Sequence, residues 1–238
     1  MTVQPIRGNK LDQRDEITKE YFDESKVKIV DNTEGQFLAW FEGDLGRIAR
    51  LSGAPADSVL TVDYLEEGGY KLSASNAILE EPMVRLILQD PEQEHPSLFI
   101  TNSVFVLSKE HRRRKLGVRS LAIELLEAKK TEAFAYVEVF AIGNADTLNP
   151  DSETHQYSGY AVWPQLGFDG EIPQSLKEQR PELKPFEKVS QLLSTEGGLE
   201  LWLKKGGDIW LRFYLHEASP SWVVLHRYMS HNGIKVTP

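Results

Sequence analysis

The chain has 238 residues, and 27 basic against 36 acidic side chains leave a formal charge of −9. Without cysteine it builds no disulfide framework, no thiolate metal site and no cysteine nucleophile. A hydrophobic share of 40% is enough for a sizeable core and too high for a disordered chain.

The acidic balance disfavours a general nucleic-acid binder and suits a cationic partner such as an amine. The first thirty residues are studded with charge, so no apolar signal core is present. The most apolar stretch, residues 133–142, is interrupted by Glu138 and falls far short of the ~20 residues that span a bilayer. These features lead us to expect a cytoplasmic protein with no membrane partner.

Taken in chain order, residues 1–24 are polar with a faint helical period. Phe37, Leu38, Trp40, Phe41, Leu45, Ile48 and Ala49 then recur at helical spacing until Gly53-Ala54-Pro55 stops them. At Leu60 the period changes to two. Residues 60–64 and 70–73 read as strands joined by the turn Glu66-Glu67-Gly68-Gly69. Residues 83–88 and 98–107 continue an antiparallel meander. Val118, Leu121, Ala122, Leu125 and Leu126 mark one face of an amphipathic helix, and residues 135–142 read as a buried strand. Strand, helix and buried strand suggest a parallel crossover. Residues 144–159 read as a polar loop and residues 173–185 as a charged surface excursion. Residues 199–203 and 209–215 read as a hairpin around Lys204-Lys205-Gly206-Gly207-Asp208. Ser219-Pro220 opens a last helix, which Asn232-Gly233 ends. The expected fold is therefore mixed α/β: a central sheet flanked by helices, with N-terminal helical additions and a C-terminal hairpin plus helix.

The loop before the central helix is the informative feature. Residues 109–119 hold six basic side chains against one acidic, in a chain that is acidic elsewhere. A helix N-terminus presents unpaired N–H groups and a partial positive charge, so it attracts phosphate. Arginines add bidentate contacts to such a ligand, and Gly117 removes a side chain where the ligand would approach the backbone.

Arg114-Lys115-Leu116-Gly117-Val118 resembles the loop motif of the GNAT superfamily of acyl-CoA-dependent N-acyltransferases. Arg119 stands where that motif has glycine or alanine. The resemblance continues in the strand ending at Ile142-Gly143-Asn144 and in Trp163-Pro164-Gln165-Leu166-Gly167-Phe168, where Trp163 replaces the family's tyrosine. It covers residues 83–170. It implies a GNAT-like fold with residues 1–57 as a helical extension packed on the core and residues 58–238 as the acyltransferase domain. It implies acetyl-CoA or another acyl-CoA as co-substrate, with no metal, and an amine-bearing small molecule or protein as acceptor. Val106 and Leu107 would lend backbone groups to pantetheine. Arg112, Arg113, Arg114, Lys115, Leu116, Gly117, Val118, Arg119 and Ser120 would hold the pyrophosphate.

Acyl transfer to an amine also asks for a base, and the departing thiolate asks for a proton. Glu138 shares a strand face with Tyr136, Phe140 and Ile142, an apolar setting that would raise a carboxyl's pKa and suit a base. Tyr160, one helical turn before Trp163, is the candidate proton donor, with Tyr157 its rival. An ion-paired carboxylate and a packed tyrosine are the bland alternatives. The six histidines are scattered, and His226 and His231 are spaced by five, so no metal site is read. A non-catalytic acyl-CoA-binding or protein-interaction module on the same scaffold is the second function expected. Nucleic-acid binding through residues 111–115 is the least favoured.

Overall fold

The computed structural model describes residues 12–90, 97–148 and 158–237. In chain order the elements are α1 (Glu16–Tyr21), β1 (Lys28–Asp31), α2 (Gln36–Trp40), α3 (Leu45–Ser52), β2 (Val59–Tyr64), β3 (Tyr70–Ser75), β4 (Met83–Gln89), β5 (Leu98–Val104), α4 (Leu116–Thr131), β6 (Phe134–Ala141), α5 (Gly159–Val162), α6 (Gln174–Gln179), α7 (Val189–Leu193), α8 (Gly198–Lys205), β7 (Ile209–Tyr214) and α9 (Pro220–His231). The strands form one seven-stranded mixed sheet in sequential order, flanked by helices, as the mixed α/β expectation has it. β1 runs parallel to β2 and β5 parallel to β6, and the other neighbours are antiparallel.

The period of two sorts each strand's side chains. Leu60 and Val62, Leu72 and Ala74, Val137 and Val139, and Leu211 and Phe213 enter the core. Their neighbours Thr61, Ser73, Glu138 and Trp210 take the other face, where Trp210 is 55% exposed. The long helix α4 lies between the parallel pair and buries Leu121, Ala122, Leu125 and Ala128. A parallel pair needs such a crossover because a tight turn cannot reverse the chain twice. α3 closes onto α4. At Gly53, which ends α3 with φ +65°, an added Cβ would lie 2.5 Å from the Ser120 carbonyl oxygen. Only glycine permits that approach.

Four expectations change. The helical run of residues 37–49 is two helices, broken where Glu42 and Gly43 turn left-handed with φ of 55° and 77°. The N-terminal part is not only helical, since β1 joins the sheet at its edge. The C-terminal hairpin does not exist: residues 199–203 lie inside α8, and β7 pairs with β6. Short apolar runs fit either period. Here fully buried Trp202 and the Glu200–Lys204 pair one turn apart select the helix. Residues 173–185 are more than a surface excursion, because Leu183 is fully buried and belongs to the common core. The last helix is capped as read, with Ser219 Oγ accepting from the Ser221 N–H. Among the described residues no helix is long and apolar enough to cross a membrane.

Candidate functional site

The expected strand over residues 98–107 ends early, and this creates the site. β5 pairs with β6 from Leu98–Phe134 to Asn102–Val139 and no further. Beyond that point the chain is drawn the other way. The Glu80 N–H donates to the Val106 carbonyl at 3.0 Å, the Ser108 N–H to the Ile78 carbonyl at 2.9 Å, and Leu107 bridges Leu79. β6 instead stays on β7 as far as Ala141–Ile209. Two parallel strands therefore part, and a cleft opens between them. Arg85, Asn102, Phe105, Val139, Phe140 and Trp163 line it. Phe105, Val106, Gly159 and Trp163 also belong to a groove that runs on to the first turn of α4.

That groove meets the basic loop. Arg112, Arg113, Lys115, Leu116, Gly117 and Val118 line it with Val106 and Leu107. The loop is held in an unusual shape. Arg113 and Lys115 have φ of 63° and 58°, a left-handed conformation that costs non-glycine residues energy. Lys115 is the N-cap of α4, and among the described residues no side chain caps that helix start. The first-turn N–H groups of α4 are therefore without the partner a serine or aspartate cap would supply. Arg112 donates from Nε to the Leu107 carbonyl at 2.9 Å and pairs with Glu80 at 2.8 Å. Lys115 donates from Nζ to Asn232 Oδ1. Arg113 is exposed and makes no ion pair among the described residues.

The remaining loop residues do not line the groove. Arg114 stacks on Tyr21 of α1, its guanidinium carbon 4.7 Å from the ring centroid, and donates to the Tyr21 hydroxyl. Arg119 and Ser120, expected at the pyrophosphate, point into the protein. Arg119 is 4% exposed. It pairs with Asp15 at 3.0 Å, donates to Thr18 Oγ1 at 3.1 Å, and reaches the carbonyls of Arg114 and Lys115. It supports the loop from behind. Ser120 Oγ donates to the Gly53 carbonyl at 2.7 Å. Gly117 also has a packing reason: an added Cβ would lie 3.0 Å from a Phe105 ring carbon.

The two proposed catalytic groups are both engaged. Glu138 accepts from Thr101 Oγ1 and from Arg212 Nε, each at 3.2 Å, on the sheet face away from α4. Tyr160 is fully buried. Its hydroxyl donates to the Leu203 carbonyl at 2.8 Å, and its own carbonyl accepts from Trp202 Nε1. Burial pushes the phenol up to about 12. It anchors α8 and does not line the cleft. Tyr157 lies outside the described residues. Trp163, which stands at the family's tyrosine position, does line the cleft, with its indole against Gly159.

Sequence reasoning missed a second group on the cleft. Arg85, 2% exposed, donates from Nε to Glu124 Oε2 at 3.1 Å and lies over the Phe105 ring. Asn102 Nδ2 donates to the same oxygen at 3.1 Å. Glu124 is fully buried on α4. Burial pushes its carboxyl up to about 7, and the Arg85 charge and the two hydrogen bonds offset this only in part. The signal was present in the periods. Arg85 shares the strand face of Met83 and Ile87, and Glu124 lies three residues from Leu121 on the helix.

Among the described residues no cluster of three or more histidine and carboxylate side chains is placed to hold a metal ion. No family model, curated protein or solved structure matches the chain.

Proposed function

We propose that the chain is a GNAT-like N-acyltransferase, moving an acetyl or longer acyl group from CoA to an amine. One observation carries this reading: two parallel strands part at Asn102–Val139, and the cleft between them runs to an uncapped helix N-terminus beside a basic loop. An elongated thioester fits that layout. Its phosphates would meet the first turn of α4, Arg113 and Lys115. Its pantetheine would run beside Val106 and Leu107, whose carbonyls already accept from Glu80 and Arg112. In the reaction the neutral amine nitrogen bonds to the thioester carbonyl carbon and gives up one proton, the carbon–sulfur bond breaks, and the sulfur leaves with the electron pair and takes up a proton, so that no net proton is released.

A ligand that binds only the folded state raises the melting temperature. Saturating acetyl-CoA should do so for the native chain, and an Arg113→Glu/Lys115→Glu variant should respond much less. No shift in the native chain would overturn the reading. The engagement of Glu138 and Tyr160 favours a second reading, an acyl-CoA-binding module without turnover. Release of free CoA in the presence of an amine panel separates the two.

A further inference from the structure

Asn102 is the last residue of β5 paired with β6, so it stands at the closed end of the cleft. A chain that enters over the α4 N-terminus and follows Val106 inward ends there. Asn102 Oδ1 at this end and Glu124 Oε1 behind it are buried and have no hydrogen-bond partner among the described residues. Asn102 is 6% exposed and lines the cleft. Glu124 adjoins it through the 3.1 Å bond from Asn102 Nδ2. Buried acceptors are normally satisfied, and leaving one unmet is costly.

The neighbours restrict which ligand group would satisfy these atoms. An ammonium would meet the Arg85 guanidinium, a like charge at the same cleft wall. A carboxylate would bring two more acceptors against two acceptors. A methyl end would leave both oxygens unmet. The Arg85–Glu124 pair cancels its own charge, so a neutral group is favoured. A hydroxyl donates to Asn102 Oδ1 and accepts as well. With its one proton given to Asn102 Oδ1, its oxygen would accept from Glu124 when that carboxyl is protonated, the form burial favours.

We infer that the closed end of the cleft is a subsite for a hydroxyl carried on the acyl chain of the donor, with Asn102 the residue that determines specificity. This rests on the acyl-CoA reading above and adds a substrate class to it, hydroxyacyl thioesters.

The test is calorimetric titration of the full chain with CoA, butyryl-CoA and the 2-, 3- and 4-hydroxybutyryl-CoA isomers. At least one hydroxy isomer should bind about tenfold or more tighter than butyryl-CoA, the ratio expected when an unpaired buried acceptor gains its donor. In Asn102→Leu that ratio should collapse toward one. Butyryl-CoA binding as tightly as every isomer overturns the inference, since water would then serve the oxygens equally well. A preference that survives in Asn102→Leu overturns the role of Asn102. If the variant does not fold, the ester ratio in the native chain still decides. The CoA arm separates the two levels. Binding of CoA without hydroxyl preference sinks this inference alone, and failure of every CoA compound sinks the acyl-CoA reading together with it.

Discussion

Among the ion pairs that α4 makes, two behave in opposite ways. At its first turns Arg119 meets Asp15. Half-way along, Glu124 meets Arg85. Asp15 keeps some solvent contact and collects donors from the Thr18 N–H and hydroxyl, the Lys235 N–H and Arg119. Burial works against its charge, but those donors outweigh it and hold its carboxyl below the usual range. Glu124 is fully buried with two donors, both on one oxygen, and its carboxyl is pushed up. The difference lies first in burial, complete at Glu124 and partial at Asp15, and then in the number of hydrogen bonds, since each carboxylate has an arginine partner. A well-donated pair fixes a structure, and an under-donated one keeps capacity for something else.

The comparison breaks most sharply at Arg119. Arg119→Ala strips the partner from Asp15 and two loop carbonyls, and should cost about 3–5 kcal/mol in urea denaturation. An effect as small as that of a surface change would remove its bracing role. The next effect is pH-dependent. The folded pKa of Glu124 is raised, so the stability linked to its neutral form is complete below about pH 4.5 and is lost as pH rises toward 7. Between those values the native chain should lose up to about 3 kcal/mol relative to Glu124→Gln, which does not titrate. Asp15 has the opposite sign. Its contribution holds above about pH 4 and is lost as pH falls, so the cost of Asp15→Asn should shrink in acid; parallel profiles for the two variants would erase the contrast.

Smaller effects sharpen the division within the basic loop. Arg113→Glu faces the groove, and should weaken CoA binding by about tenfold, near 1.4 kcal/mol, with stability changed by less than about 0.5 kcal/mol. Titration calorimetry and melting curves check the two halves separately. Tyr160→Phe removes one buried hydrogen bond and should cost about 1 kcal/mol while leaving CoA release unchanged. A selective loss of turnover would return Tyr160 to the reaction.

Much of the fold was legible because period and punctuation act locally. Residues 60–64 and 70–73 alternate at period two and residues 83–88 are a short, nearly all-apolar run; they form β2, β3 and β4. Ser219-Pro220 caps α9 because both residues act on their own first turn. The run Leu199-Glu200-Leu201-Trp202-Leu203 misled because it is too short for either period to win without its neighbours. The site was half legible. The placement of a basic loop before an amphipathic helix was plain, and Arg112, Arg113 and Lys115 do line the groove. Which arginines face out was not, since two left-handed residues rotate the loop so that Arg114 and Arg119 turn toward α1.

The sequence by itself determined a mixed α/β chain with one concentrated basic loop at a helix start, because hydropathy period, capping residues and charge are properties of neighbours along the chain. The tertiary structure alone decided where β5 leaves β6, which arginines face the groove, and that Arg85 and Asn102 line the cleft with Glu124 bonded behind them. Those facts depend on contacts between residues dozens of positions apart. Hydrogen bonds between residues 78–80 and 106–108 draw the latter aside, and burial by the whole core raises the Glu124 carboxyl.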